Sequence, residues 1–137
     1  MSLFIDTSVF YAGVDADDVQ HDRAAAILSR ADAFVTTDHV LVETWQLLRQ
    51  RTGRLAAERF WDTLRRGTVE LEFVGPPDLE HAWEIGSAFP DQDFSVVDRT
   101  SFAVMERIQV LRVASFDRNF VIYRFGPRRD RAFEIVA

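Results

Sequence analysis

The chain opens with Ser2-Leu3-Phe4-Ile5-Asp6-Thr7-Ser8, three apolar residues running straight into an acid and then into two hydroxyl residues. The apolar run reads as a short buried strand, and the hydroxyl residues suit the start of a helix. In an open α/β sheet, ligands bind beyond the carboxyl ends of the strands. Asp6 is therefore placed for chemistry rather than for packing. The rest of the sequence has to be searched for acids that reach the same spot, and Glu43, Asp98 and Asp117 are the candidates.

The remaining elements follow from periodicity. Thr7 to Gly13 reads as a short helix closing at the glycine, and Asp15, Asp17 and Asp18 as a solvated turn leading to a helix over 19–30. Residues 33–36 form a compact apolar run, a second strand. Asp38 is placed to cap a helix that runs through Gln50, and Ala56, Phe60, Trp61 and Leu64 give another helical stripe before Gly67. Val69 to Val74 alternates like a strand. Pro76-Pro77 is expected to break the chain before a helix from Leu79 to Phe89. Ser95 opens a helix to about Ile108, and residues 110–116 form a fourth strand with Asp117 immediately after it. Residues 120–123 fit either a helix or a loop, and residues 132–136 a last strand. Strands alternating with helices predict an α/β domain, a parallel sheet covered on both faces, with 1–137 as a single unit.

Each acid has a structural alternative. Asp6 and Asp117 can be plain helix caps, although two at strand ends of one small sheet argue for more. Ser95-Val96-Val97-Asp98 matches the S-x-x-D capping box, yet Phe94, Phe102 and Met105 share the face of Asp98 and turn it inward. Glu43 lies three residues after Val40 and four before Leu47, on one face with both. A salt bridge to an arginine is its structural alternative. If the four converge, like charges in reduced dielectric demand either a retained proton or a hard cation. Oxygen-only ligands select Mg2+ or Mn2+ over zinc. His21, His39 and His81 have no zinc-ligand spacing, and there is no cysteine.

A carboxylate-held metal with retained waters is the apparatus of phosphoryl chemistry. Neither a Gly-rich phosphate loop nor a G-x-S-x-G elbow is present, so a phosphodiester backbone in an open cleft is the expected substrate. The net charge of −6 argues against binding nucleic acid by bulk positive charge. All sixteen cations are arginine, the residue suited to two-pronged phosphate contact. Arg49, Arg51, Arg54, Arg59, Arg65 and Arg66 form one group and Arg124, Arg128, Arg129 and Arg131 another. With no apolar run long enough to span a bilayer and no leader-like start, a soluble cytoplasmic protein without membrane contact is expected.

Four segments together resemble the PIN-domain ribonucleases, and within them the VapC toxins of VapBC toxin–antitoxin pairs. They are Phe4-Ile5-Asp6-Thr7-Ser8, Leu41-Val42-Glu43-Thr44, Phe94 through Phe102, and Ser115-Phe116-Asp117-Arg118-Asn119-Phe120. The resemblance implies a PIN-like three-layer α/β/α domain with a five-stranded parallel sheet. It implies Asp6 and Asp98 as principal metal ligands, Glu43 completing the set and Asp117 in support, with Mg2+ or Mn2+ as cofactor. It also implies cleavage of cellular RNA, a homodimer, and a cognate antitoxin that blocks the groove. The alternatives are a PIN nuclease with another RNA-processing role, or a non-catalytic receiver-like or interaction module; the lack of Lys weakens the receiver.

Overall fold

The computed structural model describes residues 1–136. The elements are β1 (Ser2–Ile5), α1 (Thr7–Val14), α2 (His21–Leu28), β2 (Ala33–Thr37), α3 (Asp38–Arg51), α4 (Arg54–Thr63), β3 (Glu70–Glu72), α5 (Pro76–Ala88), α6 (Val96–Ile108), β4 (Arg112–Ala114), α7 (Asn119–Ile122) and β5 (Glu134–Val136). A single π-helical turn, Leu64–Thr68, ends α4; there Gly67 takes φ 84°, a left-handed conformation that glycine adopts without strain.

All pairings are parallel, in the order β3-β2-β1-β4-β5. β1 is central, and Leu3, Phe4 and Ile5 are wholly buried because helices cover both faces. From β1 the chain works outward through β2 to β3, then returns to lay β4 against the other side of β1. The reversal leaves a crevice beyond the carboxyl ends of β1 and β4, where an open α/β sheet accepts a ligand. Asp6 N donates to Ala114 O at 3.1 Å, which ties the residue after β1 to the end of β4 and holds it at the crevice. A receiver-type domain orders its strands 2-1-3-4-5; the observed order removes that alternative.

Several local expectations change. Gly13 does not close α1 but lies within it, where a Cβ would stand 2.7 Å from Leu28 Cδ1, so glycine permits the close approach of α1 to α2. The 19–30 helix shortens to α2. Pro76 and Pro77 open α5 rather than breaking the chain before it, since proline is preset for the first helical turn and its missing N–H is not needed there. β4 is shorter than 110–116, so Ser115 and Phe116 separate it from Asp117. Residues 120–122 are helical, within α7.

The cap of α3 is Thr37, whose hydroxyl accepts from Val40 N at 3.0 Å, and not Asp38. Asp38 instead holds the chain after β3, accepting from Val74 N at 2.9 Å. Thr37→Ala is expected to lower stability by about 1 kcal/mol, the usual cost of a lost cap, as read by thermal denaturation.

Packing of α6 against α7 is aromatic. Phe102 stacks on Tyr123 (4.3 Å between centroids, 4° between planes) and meets Phe94 and Phe120 edge to face at 5.4 and 5.0 Å. These geometries suit the ring quadrupoles. They fix the first turn of α6, with Asp98, against the segment carrying Asp117 and Asn119.

Candidate active site

Asp6, Glu43, Asp98 and Asp117 all line one open crevice of about 330 Å3 at the β1–β4 reversal. They arrive from four places: the end of β1, the middle of α3, the first turn of α6 and the segment after β4. Helical and strand geometry together explain the convergence. Asp6 is the N-cap of α1 and Asp98, three residues after the cap Ser95, closes the capping box of α6, so both sit at helix starts on the crevice, while α3 crosses it with the face that carries Glu43.

Asp6 is 4% exposed. Its Oδ2 accepts from Ser8 Oγ and Ser115 Oγ, each at 2.9 Å. Burial pushes its carboxyl up to about 6, against the two serine hydroxyls and with help from the charge of Asp98. Asp98 is also buried. Both readings of this residue hold. It completes the capping box, with Ser95 N donating to its Oδ2 at 3.1 Å and its own N–H donating to Ser95 Oγ at 3.0 Å. It also faces the crevice, where burial raises its pKa, Asn119 opposes the rise and the Asp117 charge adds to it.

Glu43 is half-buried, and burial again raises its pKa; the charges of Asp98 and Asp117 act in the same direction. Among the described residues none of the four acids is ion-paired. The arginine alternative for Glu43 is therefore not what the structure shows. The four do not form a closed cage, however. Among the described residues no three His, Asp or Glu side chains stand close enough to hold an ion as they are.

Several contributors were not singled out from the sequence. Asn119 donates from Nδ2 to Asp98 Oδ2 at 2.9 Å and from its backbone N to Asp117 Oδ1 at 2.9 Å, joining the two acids. The second bond is an Asx turn, which the spacing Asp117-Arg118-Asn119 allows. Ser115 and Ser8 orient Asp6, and Ser8 Oγ accepts from Phe116 N at 3.0 Å. Thr7 Oγ1, in a side chain that lines the crevice, is buried with no partner at hydrogen-bond distance among the described residues, although it lies near enough to Glu43 to hold that carboxyl down against its burial. Arg51 also lines the crevice, its guanidinium 5.2 Å from the Tyr11 ring centroid. Of the other arginines in its group, Arg54 pairs with Glu58 and Arg65 and Arg66 with Asp62.

The PIN-domain family model matches residues 3–126. The 23S rRNA-specific endonuclease VapC20 of Mycobacterium tuberculosis is 35% identical over 119 residues, 86% of this chain and 91% of that protein. The crystal structure of that Sarcin-Ricin loop cleaving toxin superposes with a TM-score of 0.82 at 34% identity, over 87% of this chain and 92% of that one. A VapC ribonuclease of Archaeoglobus fulgidus is 27% identical across 92% of this chain and 83% of its own length. VapBC2 of Rickettsia felis, solved with a promoter DNA fragment, shares the fold at a TM-score of 0.69 and 8% identity, over 99% of this chain and 98% of that one. By sequence and by fold, the chain belongs to the PIN-domain family, in its VapC group of ribonucleases.

Proposed function

We propose that the protein is a divalent-metal-dependent endoribonuclease acting as the cytoplasmic toxin of a toxin–antitoxin pair, with a structured RNA as substrate. The observation that carries the reading is the convergence of four unpaired carboxylates from separate elements on one open crevice. Two of them are buried, and all belong to the segments that carry the family resemblance.

The residues fit Mg2+ or Mn2+. The donors are all oxygen, the Thr7 hydroxyl is buried beside them, and among the described residues no arginine is ion-paired with any of the four acids. The absence of a three-acid cage is compatible with Mg2+, which keeps several waters and is bound through one or two carboxylates. Asp6 and Asp98 would be the main holders, with Glu43 and Asp117 in support. When bound, such a cation lowers the pKa of a water and stabilises charge at the leaving oxygen.

The chain's own residues do the rest. Ser8 and Ser115 fix one oxygen of Asp6, leaving the other for the crevice. Ser95 N and Asn119 do the same for Asp98, so both carboxylates are oriented before substrate arrives. Glu43, half-buried at the crevice wall, would steady the waters retained by the cation. Arg51 at the wall of the crevice is the guanidinium placed for a backbone phosphate.

Asn119→Ala is expected to reduce cleavage about tenfold, the scale of a lost partner to a metal-holding group, with the fold intact by circular dichroism. The reading as a whole is tested by incubating the protein with total cellular RNA. Discrete fragments are expected with Mg2+ or Mn2+ and none with a chelator. Absence of cleavage with either metal would sink the nuclease assignment, and cleavage in chelator would sink the metal. VapC20 acts on 23S rRNA, which makes ribosomal RNA the first substrate to map. A toxin–antitoxin complex among the structural relatives supports an antitoxin partner, and the family resemblance supports a homodimer.

A further inference from the structure

A second cleft, of about 160 Å3, lies between α5, α6 and the loop over residues 124–131. The loop is a hairpin, closed by paired backbone bonds between Phe125 and Arg131. It carries four arginines in eight residues. Arg124 turns back onto the carbonyls of Val121 and Tyr123 at the end of α7. Arg128, Arg129 and Arg131 are exposed, and among the described residues none has a carboxylate partner.

Arg129 is held at φ 50°, a left-handed backbone conformation that side chains other than Asn and Asp seldom adopt. Its guanidinium lies 5.6 Å from the Phe89 ring centroid, on the cleft wall. A strained residue that carries an unpaired charge into a cleft points to use rather than to packing. The cleft offers two kinds of recognition. Phe89, half-buried at its mouth, supplies ring surface, while Tyr123 and Phe125 form a buried floor, 2% and 5% exposed. Glu106 supplies an acceptor: its Oε2 takes Tyr123 OH at 2.8 Å and lies 3.1 Å from His81 Nε2, which leaves Oε1 without a donor among the described residues. The cleft is also coupled to the acidic crevice. Phe89 packs 5.7 Å from Phe94, next to Ser95, whose backbone N–H holds Asp98.

Resting on the ribonuclease reading above, we infer that this cleft is a nucleotide subsite. A base of single-stranded RNA outside the cut site stacks on Phe89 and donates an exocyclic amine to Glu106. Arg128 and Arg129 hold the flanking phosphates. Unstacked bases of single-stranded RNA are recognised by this combination of stacking, edge hydrogen bonds and guanidinium contact. Because uracil has no exocyclic amine, the subsite favours cytosine over uracil.

The test uses the full chain carrying Asp98→Asn, in chelator, so that RNA is bound and not cut. The probes are fluorescein-labelled twelve-nucleotide strands of cytidine or of uridine, titrated by anisotropy at several salt concentrations. Adding Arg128→Gln and Arg129→Asn is expected to weaken binding about tenfold and to flatten the dependence of log affinity on log salt by about 1.4, two contacts at about 0.7 each for single strands. Arg129→Asn alone is expected to keep or raise the thermal midpoint, since Asn tolerates the left-handed conformation; weaker binding is then not a folding defect. Oligocytidine is expected to bind tighter than oligouridine, and Glu106→Gln to remove the preference. Arg30→Gln, which removes one arginine ahead of β2 away from the cleft, is the control expected to leave binding unaltered. Unchanged affinity and salt slope in the double arginine variant overturns the subsite, and equal binding of the two strands overturns its base contact. Cleavage by the unmodified protein with Mg2+ is measured in parallel: its absence counts against the nuclease reading, whereas its presence beside unaltered arginine variants counts against the subsite alone.

Discussion

Asp98→Asn is expected to lower RNA cleavage by about three orders of magnitude while leaving the fold in place. The structural part of the expectation follows from the capping box. Asn keeps an oxygen to accept from Ser95 N, and its backbone N–H still donates to Ser95 Oγ, so α6 starts at the same residue. What disappears is one buried negative charge at the crevice. A group that holds charge or metal at a reaction centre typically contributes 10²–10³ in rate, about 3–4 kcal/mol. The measurement is kcat/KM on a defined RNA at saturating Mg2+, beside Mn2+ binding by calorimetry. Loss of both is expected. Full activity in this variant would remove Asp98 from the chemistry, and lost activity with unchanged Mn2+ affinity would remove it from the metal.

Asp6→Asn carries the second large effect, and it is a gain. In the metal-free protein the Asp6 carboxyl is raised from its ordinary 3.8 to about 6 by burial. Between those two values the folded chain holds a proton that the unfolded chain has released, so stability falls as pH rises through the window and stays reduced above it. The linkage amounts to about 3 kcal/mol at neutral pH. Part of this is retained by Asn, whose own amide needs a partner, so the variant is expected to be more stable than the parent by about 2 kcal/mol at pH 7.5. The advantage should shrink through pH 6 to 4 and vanish below. Asn preserves the N-cap of α1, since it too accepts from Ser8 N. Denaturant unfolding in chelator across pH 4 to 7.5 reads the effect. A variant no more stable than the parent at pH 7.5 would mean that Asp6 is not under electrostatic stress. Adding Mg2+ should narrow the gap by stabilising the parent alone.

Sequence and structure meet most closely where a residue type has one dominant cause. Asp6 at the end of β1, the inward face of Asp98 and the buried character of β1 follow from pattern alone, because burial on both faces and helix starts leave clear marks, whereas Asp117 is separated from β4 by Ser115 and Phe116. The strand order does not. It depends on which edge each strand joins, and no local preference encodes that. The misplaced cap of α3 has a simple origin: Thr37 and Asp38 are both good caps, and the choice is made by Val74 N, which lies 36 residues away and claims Asp38. The prolines that open α5 carried a usable signal, since the first helical turn favours them. Asn119 and the second cleft needed three dimensions. The amide reaches Asp98 across 21 residues, and Glu106, Tyr123 and His81 meet only because α5 and α7 both pack against α6.

The two outermost strands, β3 and β5, are three residues each and carry exposed Glu70 and Glu134. Edges so brief and so negatively charged make poor templates for an incoming backbone. Recruitment of another chain by extending the sheet is therefore disfavoured on both sides, which leaves helices and loops to form any complex. Variants that lengthen either border strand with neutral β-branched residues would be the ones to watch for fibre formation.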